Sequence, residues 1–193
     1  MRVAGLLLAA GAGRRMGRPK ALLRAGDGTS FLARGVGSLL DGGCVPVTVV
    51  LGAEADAARD VLGTSWQAAV SVVVAEDWAE GMGASLRAGL ASMDDAPADA
   101  VVVTLVDLPD VGGDVVRRVV AAGTGRHALV RAEYDGRPGH PVLLGREHWT
   151  GVAATARGDQ GAREYFRAHP PTACECGDLA TGRDVDRPED LPR

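Results

Sequence analysis

Four apolar runs mark the first part of the chain: Val3–Ala9, Val45–Leu51, Ala69–Ala75 and Ala100–Val106. Within each run both alternating sets of positions are almost wholly apolar. That is the pattern of strands buried on both faces of a parallel sheet, not of strands with one wet face. The segments Phe31–Leu40, Ala53–Leu62, Ala84–Met93 and Val115–Ala122, between and after these runs, read as helices. Strand and helix alternating at this spacing predict right-handed βαβ units, hence an α/β protein of Rossmann-like, three-layer form with a mostly parallel sheet and helices on both faces.

After about residue 125 the alternation weakens. Ala128–Tyr134, the turn dipeptide Asp135-Gly136 and Pro141–Leu144 predict a hairpin added to the sheet. Asp159 is expected to cap a helix running to about Ala168, which Pro170-Pro171 stops, and Thr172–Cys176 supplies a last short strand. Asp184–Leu191, with Pro188 at an early position, predicts a short terminal helix. With no linker, repeat or low-complexity tract, residues 1–193 are read as one domain.

Composition narrows the classes further. A chain of 193 residues with 46% hydrophobic and 24% charged residues has an ordinary core, which excludes disorder, collagen and coiled coil. The 21 Lys and Arg against 25 Asp and Glu give a net charge of −4, which argues against a protein built to neutralise a nucleic-acid backbone. No segment approaches the roughly 20 apolar residues of a membrane span, so no membrane role is expected and the protein is read as soluble and cytoplasmic. Cys44, Cys174 and Cys176 are too few and wrongly spaced for a common zinc or redox motif and are read as unbridged thiols.

In an open α/β sheet, ligands bind at the carboxyl ends of the strands, so the loops after the apolar runs carry the candidate chemistry. The first runs Leu8-Ala9-Ala10-Gly11-Ala12-Gly13-Arg14-Arg15-Met16-Gly17-Arg18-Pro19-Lys20. Its glycines let backbone N–H groups approach a phosphate, and Arg15 and Lys20 offer the charge a triphosphate requires; a solvated turn is the alternative. No Gly-Lys-Ser/Thr follows, so it is not a Walker A loop, and Met16 stands where a dinucleotide fingerprint wants its third glycine. The second loop, Glu80-Gly81-Met82-Gly83-Ala84-Ser85-Leu86, opens a helix, where small residues suit a flat base or ribose; a plain N-cap by Gly83 or Ser85 is the alternative. The third ends a buried strand in Asp107, a rigid carboxylate suited to a magnesium ion that bridges phosphates, or else to capping a turn. Asp110, nearby, reads as solvated.

Taken in order along essentially the whole chain, these motifs resemble the nucleotidyltransferases that attach a nucleotide to the molybdenum cofactor, the MobA-like cytidylyltransferase and guanylyltransferase group. The resemblance rests on Leu-Ala-Ala-Gly-x-Gly with Arg15, Met16, Gly17 and Lys20, on Gly81-Met82 with Ser85-Leu86, and on Asp107-Leu108-Pro109. It extends to Pro138-Gly139-His140-Pro141, to Gly158-Asp159-Gln160-Gly161-Ala162-Arg163, and to the terminal Asp184-Val185-Asp186-Arg187-Pro188-Glu189-Asp190. It implies a nucleotidyltransferase fold and Mg²⁺-dependent transfer of NMP from CTP or GTP to a phosphorylated acceptor, molybdopterin foremost. Arg15, Lys20 and Asp107 become catalytic candidates, and Leu8, Ala9, Ala10, Gly11, Gly13, Gly81, Met82 and Ser85 nucleotide contacts. Asp107 and Asp186 become metal ligands, while His140 and Asp159 face the acceptor. Ala10, where a guanosine enzyme of the group more often has glycine, favours cytidine. The resemblance also implies transient contact with a molybdoenzyme or its chaperone. A sugar- or polyol-phosphate acceptor is the alternative within the class. An NAD-type oxidoreductase and a non-catalytic nucleotide-binding protein stand outside it; the first wants an acidic residue closing the second strand, where Gly52-Ala53 follows Leu51.

Overall fold

The computed structural model describes residues 1–63, 66 and 68–191. The four apolar runs form β1 (Val3–Leu8), β2 (Val47–Leu51), β3 (Val70–Val74) and β4 (Ala100–Leu105). Helices α1 (Phe31–Asp41), α2 (Ala55–Leu62), α3 (Met82–Ala91) and α4 (Gly113–Ala121) occupy the stretches between and after them. The remainder supplies β5 (Leu129–Tyr134), β6 (Arg137–Gly145), α5 (Trp149–Thr155), α6 (Arg163–Ala168) and β7 (Thr172–Glu175). All seven strands join one sheet in the order β3-β2-β1-β4-β6-β5-β7, in which only β6 runs against the others.

The pleat of β1 explains the layers. Leu6 and Leu8 point to one face, where they pack with Leu86 and Leu90 of α3 and Trp149 and Val152 of α5. Leu7 points to the other, among Phe31, Leu32, Val36 and Leu39 of α1 and Val115, Val116 and Val119 of α4. A strand buried on both sides in this way has no polar face to display, which is why its sequence shows a run and no alternation. Parallel register pairs Leu8 with Val50 and with Leu105, so the carboxyl ends of β1, β2 and β4 lie level and their loops open on one edge.

The second half departs from expectation in three places. Helix α5 was not foreseen: Trp149-Thr-Gly-Val-Ala-Ala-Thr is rich in poor helix formers, and tertiary contacts hold it. The Trp149 Nε1–H donates to the Leu144 carbonyl at 3.0 Å, and the Arg146 guanidinium lies 4.4 Å from the indole centroid. Asp159 caps no helix: it sits in a single 3₁₀ turn, Gly158–Gln160, and α6 starts only at Arg163 without a side-chain cap. The expected terminal helix is reduced to one 3₁₀ turn, Pro188–Asp190, which leaves Asp184 and Asp186 on extended coil. The hairpin forms as expected around Asp135 and Gly136, both at positive φ, as a tight turn of this type requires. None of the three cysteines is in a disulfide; all are buried, and burial pushes the Cys44 and Cys176 thiols up to about 12.

Candidate active site

A cleft of about 420 Å³ opens at the carboxyl edge, above the ends of β1 and β4. One wall is the loop after β1. Gly13 there adopts φ +59, and any Cβ would collide with the Arg18 carbonyl, so only glycine lets the loop fold back on itself. Leu8, Ala9, Ala10, Gly11 and Gly13 all line the cleft, as do Arg15 and Lys20.

The opposite wall is the start of α3. Gly81, Met82 and Ser85 line it; Gly81, not Gly83 or Ser85, is the helix N-cap, and Ser85 is buried inside the first turns. Gly81 has φ +114, and a Cβ on it would stand 2.6 Å from Asp159 Oδ1 and from the Gly158 carbonyl carbon. The turn around Asp159 is therefore laid directly on Gly81, which puts Asp159 in the cleft wall.

The floor carries the charge. The Lys20 ammonium donates to Asp107 Oδ2 at 2.8 Å and to Asp186 Oδ1 at 2.5 Å, and Arg15 reaches Asp186 Oδ2 at 3.0 Å. Asp107 follows β4 and is largely withdrawn from water. Burial pushes its carboxyl above the usual range, and Lys20 offsets this only in part. Lys20 is itself half-buried, which disfavours its charge, but Asp107 and Asp186 outweigh that and raise its pKa. Asp186 is more open; its bond from Lys20 holds its carboxyl below the usual range. Asp107 Oδ1 is buried and, among the described residues, has no hydrogen-bond partner. One carboxylate oxygen each from Asp107, Asp184 and Asp186 lies within 4.8 Å of the others. A buried, unpartnered carboxylate oxygen beside two further carboxylates suits a hard divalent cation, which takes oxygen ligands and leaves room for phosphate oxygens.

His140 stands apart. It precedes Pro141 on β6, whose Val142 pairs with Val103 of β4, so it lies at the same sheet edge but is not among the residues lining the cleft. Burial, then Arg131 and Arg163, push its pKa down to about 4, so the ring is neutral near pH 7. Four participants escaped the sequence reading. Trp78 and Glu80 line the cleft from the single turn after β3, and Arg87 of α3 braces that turn through Asp77 at 2.9 Å and Glu80 at 3.0 Å. Asp184 joins the carboxylates because Val185 between it and Asp186 is buried, so the two flanking aspartates point the other way. That alternation of Asp-Val-Asp was present in the sequence as a signal for an extended segment, not a helix.

The chain matches the model of the MobA-like NTP transferase domain over residues 5–173. It belongs to the MobA-like NTP transferase family. As an enzyme it is a nucleotidyltransferase of that family, with the α/β fold described above. The molybdenum cofactor guanylyltransferase of Rhodobacter capsulatus is 34% identical over 78% of this chain and 67% of its own length. The nicotine blue oxidoreductase of Paenarthrobacter nicotinovorans is 38% identical over 99% of this chain and 95% of its own. Among solved structures, Rv0371c of Mycobacterium tuberculosis H37Rv superposes with a TM-score of 0.80 at 28% identity, covering 98% of this chain and 95% of that one. The same protein has been solved in complex with manganese, with a TM-score of 0.75 at 26% identity over 99% and 98% of the two chains.

Proposed function

We propose that the enzyme transfers NMP, CMP in preference to GMP, from a nucleoside triphosphate to a phosphorylated acceptor in the cytoplasm, with molybdopterin or its metal-loaded form as acceptor. The observation that carries this reading is the unpartnered, buried Asp107 Oδ1 at the mouth of the phosphate-type loop, with Asp184 and Asp186 beside it. A divalent cation, Mg²⁺ by preference, would be held by these carboxylates and would offset the negative charge of the triphosphate. The manganese complex of Rv0371c supports a cation in this family.

The chain's own residues do the positioning. Backbone N–H groups of the Gly11–Gly13 loop face the triphosphate, and Arg15 and Lys20 compensate its charge. The wall of Gly81, Met82 and Ser85 receives the nucleoside, and Ala10 borders it. An oxygen of the acceptor phosphate attacks the α-phosphorus in line. The new P–O bond forms as the α–β bond breaks, and its electrons leave with pyrophosphate. No general base is needed, because the attacking phosphate is already anionic near pH 7. His140 and Asp159 are assigned to the acceptor side, and a docked molybdoenzyme or its chaperone would receive the product.

The name of the nicotine blue oxidoreductase relative favours a second reading, the NAD-type oxidoreductase that the fold class also admits. Against it, a Cβ on Gly52 would stand 2.6 Å from Trp78 Cβ. Trp78 therefore packs onto the end of β2, where a dinucleotide site places the acid that binds its ribose. Pyrophosphate release over four NTPs and several phosphorylated acceptors, run beside NAD(P)H oxidation with nicotine blue, tests both. Release with a pterin phosphate and CTP is expected; NAD(P)H oxidation without any pyrophosphate release would overturn the transferase reading.

A further inference from the structure

Two of the three clustered carboxylates come from a segment without regular structure. Between the end of β7 at Glu175 and the turn Pro188–Asp190, residues 176–187 run as turn and coil, yet they deliver Asp184 and Asp186 to Asp107. Coil presents ligands reproducibly only if contacts elsewhere fix it. At the start of the strap the Glu175 carboxylate accepts backbone N–H bonds from Asp135, Gly136, Cys176 and Gly177. Arg118 of α4 then donates to Asp178 Oδ2 at 2.9 Å. Next, Asp110 Oδ2 accepts both the backbone N–H of Thr181, at 2.7 Å, and its hydroxyl, at 2.5 Å. At the far end the Val185 N–H donates to the Asp107 carbonyl at 2.9 Å.

Asp110 holds a special place in this series. It lies on the same short loop as Asp107, so one segment carries one carboxylate of the cluster and grips the strap that carries the other two. Thr181 lies just upstream of Asp184 and the buried Val185 just downstream, so the Thr181–Asp110 bonds and the Val185–Asp107 bond grip the segment that carries Asp184 from its two sides. Asp110 and Thr181 are both exposed, and neither belongs to the apolar core. We propose that Asp110 is a positioning residue: by accepting both Thr181 hydrogen bonds it sets where the strap presents Asp184 and Asp186 to Asp107, and so sets the affinity of the cluster for a divalent cation. This rests on the carboxylate cluster being the cation site.

Mn²⁺ binding to the full chain, followed by electron paramagnetic resonance without nucleotide, tests it, with thermal melting in parallel. Asp107→Asn is expected to abolish binding. Asp110→Ala should weaken it about tenfold, the lower end of what outer partners of metal ligands are worth, with an unchanged melting point. Asp110→Asn keeps one acceptor oxygen and should recover most of the affinity, while Thr181→Val, which loses only the hydroxyl, should fall between. In turnover, Asp110→Ala should raise the Mn²⁺ concentration required and leave kcat at saturating Mn²⁺ unchanged. If Asp107→Asn binds as the parent does, the cation site itself is misassigned. If Asp107→Asn fails to bind and Asp110→Ala binds normally, the positioning role is refuted. A lower melting point with no recovery in Asp110→Asn also refutes it, by making the role one of general structure. Should Asp110→Ala not fold, parental affinity in Thr181→Val decides against the proposal.

Discussion

Asp107 and Asp186 meet the same lysine from opposite kinds of support. Asp107 stands two residues after β4, whose six residues all pair with β1, and its side chain is 17% exposed; Asp186 hangs on coil at 36% exposure. Burial raises one carboxyl, whereas the bond from Lys20 lowers the other. The difference teaches how an acidic cluster of like charges is assembled. A rigid, desolvated carboxylate defines the position, and a more solvated partner on an anchored coil completes the set without both paying full desolvation.

The sharpest way to break the comparison is Asp107→Asn. It removes the buried charge and the unpartnered oxygen together, so turnover is expected to fall on the order of 10²–10³-fold, the loss for one electrostatic contact to a transition state. The melting temperature should hold, since a buried carboxylate is costly and Asn fits its place. Pyrophosphate release and thermal melting, each with and without Mg²⁺, check this, and near-parental turnover would remove Asp107 from the chemistry.

Lys20→Ala comes next. It leaves both aspartates without their shared cation and the triphosphate without a charge-assisted bond, typically about 1.5–3 kcal/mol, or roughly ten- to hundredfold in NTP affinity. Titration calorimetry with the nucleotide reads it directly. Asp186→Asn sharpens the contrast: metal affinity should fall by about tenfold to hundredfold, less than for Asp107→Asn, because Asp184 remains on the same strap. Equal damage from the two substitutions would show that the two carboxylates are equivalent after all. The smallest effect belongs to Ala10→Gly. Ala10 lines the cleft but is itself nearly buried, so losing its methyl should change the CTP-to-GTP preference by at most about 1–3 kcal/mol, measured by competition binding.

Much of this molecule was legible before its coordinates. The runs Val3–Leu8 and Ala100–Leu105 are so uniformly apolar that only a central strand accommodates them, and a central parallel strand places its following loop at the binding edge. The phosphate-type loop and Asp107 could thus be located from local pattern alone. Helix α5 could not, because its formation depends on Trp149 finding Leu144 and Arg146, contacts that no local propensity encodes. Asp159 looked like a cap because Asp before a helical stretch usually is one; packing of its turn against Gly81 took it elsewhere.

The sequence by itself determined the class of sheet, the glycine-rich loop after β1 and the carboxylate that follows β4, because each is written in the order of apolar and polar residues along neighbouring stretches of chain. Tertiary structure alone decided which distant groups complete the site. Lys20, Asp107 and Asp186 are far apart along the chain, and the strap that carries Asp186 is held by Asp110, Arg118 and the Asp107 carbonyl, none of which announces its partner in its own neighbourhood. Hydrogen bonds between such groups form only once hydrophobic burial has folded the sheet and brought its carboxyl edge and its C-terminal strap to the same place.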